Sequence, residues 1–157
     1  MSTGNIIYRA KHLRKGEWVS GIPWESIEEP YLESVMIVGL EWAGDNDRDG
    51  RRGCYVFEVD PKTISQYIGC KDKDGRMIFE GDIVETKYGK ICLVVRRKEQ
   101  HICGFDLFPL ESPHKGPTSY DVWLSKNLKV IGNMWDNPEY FDDLPSTIID
   151  LCLKNEF

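Results

Sequence analysis

What the chain lacks narrows its class first. No stretch approaches the run of about 20 apolar residues that spans a bilayer as a helix. The longest apolar runs, Val35-Met36-Ile37-Val38-Gly39-Leu40 and Ile91-Cys92-Leu93-Val94-Val95, have the length of strands. The opening residues Met1-Ser2-Thr3-Gly4-Asn5 carry neither a basic segment nor an apolar one of signal-peptide length, so a cytoplasmic protein with no membrane partner is expected. No Cys-x-x-Cys pair occurs. The five cysteines (Cys54, Cys70, Cys92, Cys103 and Cys152) are scattered through apolar segments, which fits buried free thiols better than a disulfide framework. With three histidines (His12, His101 and His114) and no Cys/His cluster, a zinc site would need distant, unrelated ligands, and no cofactor is expected. A basic excess is also missing. Formal net charge is −6, from 26 acidic and 20 basic residues, which opposes long-range attraction to DNA or RNA.

What is present is enough apolar material for a core. The 157 residues are 41% hydrophobic and 11% aromatic, which supports one principal domain with decorations and excludes a disordered chain. The pattern is one of short strands. Ile6 to Lys11 and Glu17 to Gly21 flank a Lys15-Gly16 break and predict a hairpin. A connection containing Pro23 and Pro30 leads to two further strands, Tyr31 to Leu40 and Cys54 to Val59, separated by an acidic loop over 41–53.

From Ile64 the turns sharpen. Asp74-Gly75 supplies the positive φ that a tight turn needs, Gly81-Asp82 breaks the chain again, and Tyr88-Gly89-Lys90 turns Ile83 to Lys87 back into Ile91 to Arg97. Ile102 to Phe108 returns as a further strand, residues 109–119 read as a loop, and Val122 to Leu124 and Leu128 to Gly132 close the sheet. Asn137-Pro138-Glu139 has the form of a helix start with Asn137 as cap, and a final segment from Pro145 is read as helix. The expected fold is mainly β, a small barrel-like or strongly bent antiparallel sheet with short helical segments near the C-terminus.

The segment Ile64-Ser65-Gln66-Tyr67-Ile68-Gly69-Cys70-Lys71-Asp72-Lys73-Asp74-Gly75-Arg76-Met77-Ile78-Phe79-Glu80-Gly81-Asp82-Ile83-Val84 resembles the central signature of the YopX-like proteins of bacteriophages and prophages. Tyr8-Arg9-Ala10 with Trp18-Val19-Ser20-Gly21, and Val130-Ile131-Gly132-Asn133-Met134-Trp135-Asp136-Asn137-Pro138-Glu139, extend the likeness in the expected order. The resemblance spans most of residues 6–141 and implies a YopX-like β domain over 1–141, while the acidic loop 41–53, an insertion, and the tail over 142–157, expected to be helical and packed on its own domain or on a neighbour, depart from the family pattern. It implies a phage- or prophage-derived protein, and no reaction or site residue.

Several constellations carry possible chemistry. Asp45, Asp47 and Asp49 before Gly50 match the first half of a calcium loop, but the closing position holds Val56 where a bidentate Glu belongs, so a solvated turn is the reading and no metal is expected. Asp72, Asp74, Glu80 and Asp82 could be imagined as acid and base, yet turn chemistry explains them and no His or Lys stands in relation to them, so no catalytic residue is expected. Lys87, Tyr88, Lys90, Arg96, Arg97, Lys98 and His101 form the one basic concentration, a candidate nucleic-acid hairpin interrupted by Glu85 and Glu99. Trp18, Trp24, Trp42, Trp123 and Trp135 fill cores in the main, while Trp24 or Trp42 near loops could anchor a subunit interface.

The function that follows is binding or assembly by a non-catalytic β module, as a homo-oligomer and toward an unknown host or phage macromolecule. Two alternatives stand beside it. One is nucleic-acid binding through the hairpin 87–101, and the other is an acidic inhibitor that presents Asp45, Asp47 and Asp49 to a basic host protein.

Overall fold

A computed structural model of the chain describes residues 6–25, 35–42, 54–97, 104–113, 118–119 and 127–154. It divides into two compact units, Met1–Tyr67 and Ile68–Phe157. The acidic loop with Asp45, Asp47 and Asp49, together with Lys98, His101 and the segment Val122 to Leu124, lies outside the described residues.

The first unit is an antiparallel sheet. Strands β1 (Tyr8–Lys11), β2 (Trp18–Glu25), β3 (Val35–Trp42), β4 (Cys54–Glu58) and the start of β5 (Ser65–Lys71) lie in the order β4-β3-β2-β1-β5. The β1–β2 hairpin forms where the Lys15-Gly16 break predicts it, with Gly16 at φ 70° and its N–H donating to the His12 carbonyl at 2.8 Å. Ala10, Ile37 and Val59 are buried together, and Val19, Val35, Phe57 and Ile64 pack around them.

Pro23 is not in the connection as expected but inside β2, opposite Ile37. The pairing of β1 with β2 ends at Gly21, so beyond that point β2 has a described partner on the β3 side only. Such an edge-like position tolerates a residue without an N–H.

In the second unit, the end of β5 and β6 (Met77–Phe79) form a hairpin around the Asp72–Arg76 turn. Strands β7 (Asp82–Glu85), β8 (Ile91–Arg97), β9 (Gly104–Pro109), β10 (Thr118–Ser119) and β11 (Lys129–Asn133) form a five-stranded antiparallel sheet, ordered β10-β9-β8-β7-β11. The short β10 falls within the stretch expected to be all loop, paired with Leu107 and Asp106 of β9. Among the described residues β10 and β11 do not pair, so mainly β is found and closure into a barrel is not.

Both faces of this sheet are covered, which is why β8 reads as a continuous apolar run rather than an alternating one. Val84, Cys92, Val94, Leu107 and Val130 point to one cluster with Ile78 and Leu128. Their chain neighbours Ile83, Leu93, Val95 and Phe108 point to the other, with Leu110 and Phe141. Each fully buried side chain of this size contributes roughly 1.5–3 kcal/mol through its removal from water.

The chain's last part closes over the second face. A short 3-10 helix, Pro138–Phe141, buries Phe141, and helix α1 (Ser146–Lys154) follows. Leu144, Ile148 and Ile149 pack on the Ile83/Leu93/Phe108 cluster. Among the described residues no helix is long and apolar enough to cross a membrane.

Candidate functional site

Two acids of the Ile64 to Val84 segment, Asp72 and Asp82, are occupied in building turns. Asp72 Oδ1 accepts the backbone N–H groups of Asp74 and Arg76, both at 2.9 Å, and its Oδ2 accepts that of Val130 at 3.0 Å. Burial favours the neutral acid, but these three donors and the nearby Arg76 charge outweigh it, so the Asp72 carboxyl sits below the usual carboxylate range. Asp82, fully buried, accepts the Phe79 N–H at 2.8 Å. Glu80, also buried, pairs with the Arg96 guanidinium at 2.9 Å.

The second part of the signature is an interlocked turn. Asn133 Oδ1 accepts from the N–H groups of Trp135 and Asp136 at 3.1 and 3.0 Å, and its Nδ2 donates to Asp136 Oδ2 at 2.9 Å. Asn137 does not cap the following helical turn with its side chain. Its Oδ1 instead accepts the Asn133 N–H at 3.2 Å, and its Nδ2 donates to Glu139 at 3.0 Å. Met134 donates its N–H to the Gly81 carbonyl at 2.9 Å, and Trp135 lies so close to Gly81 that a Cβ there would collide with the indole ring.

The concavity with convergent polar groups lies elsewhere, beneath the β7–β8 turn. Thr86 and Lys90 close that turn, Thr86 N–H to Lys90 carbonyl at 2.9 Å and Lys90 N–H to Thr86 Oγ1 at 3.1 Å, and Gly89 supplies φ 75°. The opposite wall is brought in by strand register, Cys92 facing Pro109 and the Leu110 N–H bonded to the Ile91 carbonyl at 3.0 Å. The result is a cavity of about 240 Å³ with an apolar floor of Ile91, Cys92, Leu107, Pro109 and Leu128.

Its polar rim comprises Thr86, Lys87, Tyr88, Lys90, Glu111, Ser112 and Asn127. Tyr88 is 74% exposed, and the Lys87 ammonium rests 4.9 Å from its ring centroid. Burial pushes the Cys92 thiol up, with Lys90 opposing the shift and Glu111 adding to it.

The basic cluster that is continuous in sequence is split in space. Lys87, Tyr88 and Lys90 stay together at the turn. Arg96 is six residues along β8 from Lys90, roughly 20 Å at about 3.3 Å per residue. There it is held by Glu80, with its guanidinium 6.0 Å from the Phe105 ring centroid. Arg97 ends the same strand. The rest of the cavity wall (Leu107, Pro109, Glu111, Ser112, Asn127 and Leu128) escapes sequence reasoning, because only the β8–β9 register and the approach of residues 127 and 128 bring it to the turn.

The tryptophans separate into types. Trp18 lies under the Arg9 guanidinium at 4.5 Å, and Trp135 covers Gly81. Trp24 is 54% exposed. It stands on the face of the first unit's sheet opposite the Ala10/Ile37/Val59 cluster, where register also places Ile22, Val38 and Val56 in one row across three strands. Ile22 and Val56 are half exposed as well. Of the cysteines, Cys70 and Cys92 are free thiols, half-buried and buried respectively. Among the described residues no group of three His, Cys, Asp or Glu side chains is arranged to hold a metal.

A family model described as YopX protein matches residues 8–142. No protein with a curated description matches the chain. Among solved structures, the chain is similar to the crystal structure of protein EF1440 from Enterococcus faecalis, at 18% identity and TM-score 0.52 over 87% of this chain and 98% of that one. That likeness is one of fold.

Proposed function

The chain belongs to the YopX protein family, and from that premise we propose that it is a phage- or prophage-derived accessory protein that works by binding and self-assembly rather than by chemistry. The observation that carries this reading is the apolar row Ile22–Val38–Val56, with Trp24 beside it, on the outer face of the first unit's sheet. A half-exposed tryptophan flanked by aliphatic side chains is the composition of an interface anchor. Burying such a row against a second copy removes it from water without demanding a new fold. The non-catalytic part of the proposal is supported by the state of the reactive groups. Asp72 and Asp82 already accept backbone N–H groups, Glu80 is paired with Arg96, and the Cys92 thiol is moved away from its nucleophilic form.

Size-exclusion chromatography with light scattering, at low and high salt, tests the reading. The expected result is a defined oligomer free of nucleic acid for the natural chain and a monomer of unchanged Tm for the double variant Ile22→Glu, Trp24→Glu. A natural chain that is monomeric at 100 μM, in order-of-magnitude terms about the ceiling for a specific weak dimer, overturns it.

Nucleic-acid binding remains a second reading because one turn presents exposed Tyr88 with Lys87 and Lys90. Base stacking on an exposed aromatic beside cations is the usual chemistry of single-strand binding. Arg96→Glu is a poor probe of it, since it would set a second carboxylate against Glu80. The informative variant is Lys87→Glu with Lys90→Glu. Absorbance at 260 nm that salt removes from the natural protein, and that this variant lacks, would place this reading first.

A further inference from the structure

We propose that the cavity beneath the β7–β8 turn binds a small monoanion carrying a single flat apolar ring, the chemical class of an aromatic monocarboxylate. Size sets the first limit. Cavities that enclose drug-sized molecules run from about 300 to 1,000 Å³, and this one, at about 240 Å³, admits one ring and its substituent but no larger body. The walls set the second. Ile91, Cys92, Leu107, Pro109 and Leu128 offer apolar surface on which a ring loses water and a sugar or an inorganic ion gains nothing.

Charge sets the third limit. Lys87, Lys90 and Glu111 are the charged groups of the lining, so the site carries one net positive charge, which suits a monoanion. Lys87 is drawn over the Tyr88 ring, and among the described residues no ion pair engages Lys90, whose ammonium is thereby available to a carboxylate at the mouth. The position of Lys90 is fixed by the turn itself, through its backbone N–H to Thr86 Oγ1. The Cys92 thiol on the floor, pushed up by burial, remains neutral at pH 7 and does not repel an anion. Thr86 and Ser112 supply neutral hydroxyl groups that orient a bound carboxylate or a ring substituent.

The inference concerns the second unit alone and does not depend on self-assembly through the first. Its test is a nuclear magnetic resonance titration of the full ¹⁵N-labelled chain with three probes: benzoate, benzyl alcohol and inorganic phosphate. Benzoate is expected to shift the amides of Thr86 to Cys92 and of Leu110 to Ser112, saturating with a Kd on the order of 1 mM, as befits so small a ligand. Benzyl alcohol lacks the charge and phosphate lacks the ring, and each is expected to bind at least about tenfold more weakly, a difference of about 1.4 kcal/mol.

Lys90→Gln, whose turn keeps its backbone bonds, is expected to reduce benzoate to the level of benzyl alcohol. Ser112→Trp, which fills the cavity from its loop side, is expected to abolish all three responses while leaving amides outside the cavity in place. Shifts that fall elsewhere, that fail to saturate, that are equal for benzoate and benzyl alcohol, that Lys90→Gln leaves at full strength, or that survive Ser112→Trp overturn the proposal.

Discussion

The carboxylate of Asp72 and the backbone N–H of Val130 meet at 3.0 Å across 58 residues of chain. With its other oxygen Asp72 holds the turn between β5 and β6, so one side chain shapes a hairpin and also fastens it to β11. The Lys73 N–H donates to the Leu128 carbonyl at 2.9 Å and makes the same link from the backbone. Among the acids crowded around this turn, Asp72 is an architectural one.

Asp72→Ala is therefore expected to destabilise the protein by roughly 3 kcal/mol, because hydrogen bonds to a charged group are each worth about 1.5–3 kcal/mol and the buried Val130 donor is left unsatisfied. Asp72→Asn should lose less, since its carbonyl oxygen still accepts. Urea denaturation of the three proteins measures this. A loss under about 1 kcal/mol for the alanine variant would mean that water replaces the carboxylate at no great cost.

The same contacts predict an acid limb in the stability profile. Asp72 has a lower pKa folded than unfolded, so between the two values the unfolded chain binds more protons and stability rises with pH. The contribution is complete above the unfolded value of about 3.9 and is lost as pH falls through the folded one. Thermal melts from pH 5 to pH 2 are expected to show a shallower decline for Asp72→Asn than for the natural chain. Parallel curves would show that other carboxylates govern acid unfolding.

How much of this was legible in the sequence depended on whether the determining interaction was local. Gly16, Gly75 and Gly89 marked three turns correctly because a positive φ is a property of one residue. The alternation of β7, β8 and β9 between two clusters was visible only as apolar runs, since a strand covered on both faces loses its period. Asn137 looked like a helix cap, and its side chain is instead committed back to Asn133, a competition that spacing alone does not decide. The basic cluster 87–101 looked continuous because a strand's length is not felt in a list of residues. Once β8 is extended, Lys90 lies just before its first residue and Arg96 next to its last. The cavity was hidden for a related reason, as its walls come from segments joined only by register.

Gly81 is expected to tolerate no side chain. It sits at φ 78°, and a Cβ would collide with the Trp135 ring. Gly81→Ala should cost about 1–2 kcal/mol from the left-handed backbone alone, with the collision in addition. In a double-mutant cycle Trp135→Ala is expected to recover the collision but not the backbone cost, giving a favourable coupling of at least about 0.5 kcal/mol. Strict additivity would mean that the indole moves aside freely and does not hold the Gly81 turn.

The last expectation concerns the two free thiols. Cys92 is buried in β8, within reach of the Lys90 and Glu111 charges, and its pKa is raised chiefly by desolvation, so at pH 8 it holds less thiolate than an ordinary cysteine, and its sulfur is reached only through the cavity or by opening of β8. Cys70, in β5, is half-buried. In the native protein iodoacetamide is expected to modify Cys92 at least about tenfold more slowly than Cys70, read by peptide mass mapping, with the difference vanishing in 6 M guanidinium, about the concentration that unfolds even hyperstable domains. The comparison also measures how the sheet opens. Because Cys92 also lines the cavity, a reagent reaches its sulfur either through that cavity or by β8 parting from its cover, and only the second route ties its rate to global unfolding, with Val94, Leu107 and Leu128 acting as one cooperative core. Equal rates for the two thiols in the native protein would instead show that the cavity, or a local opening of β8 beside it, admits the reagent to Cys92.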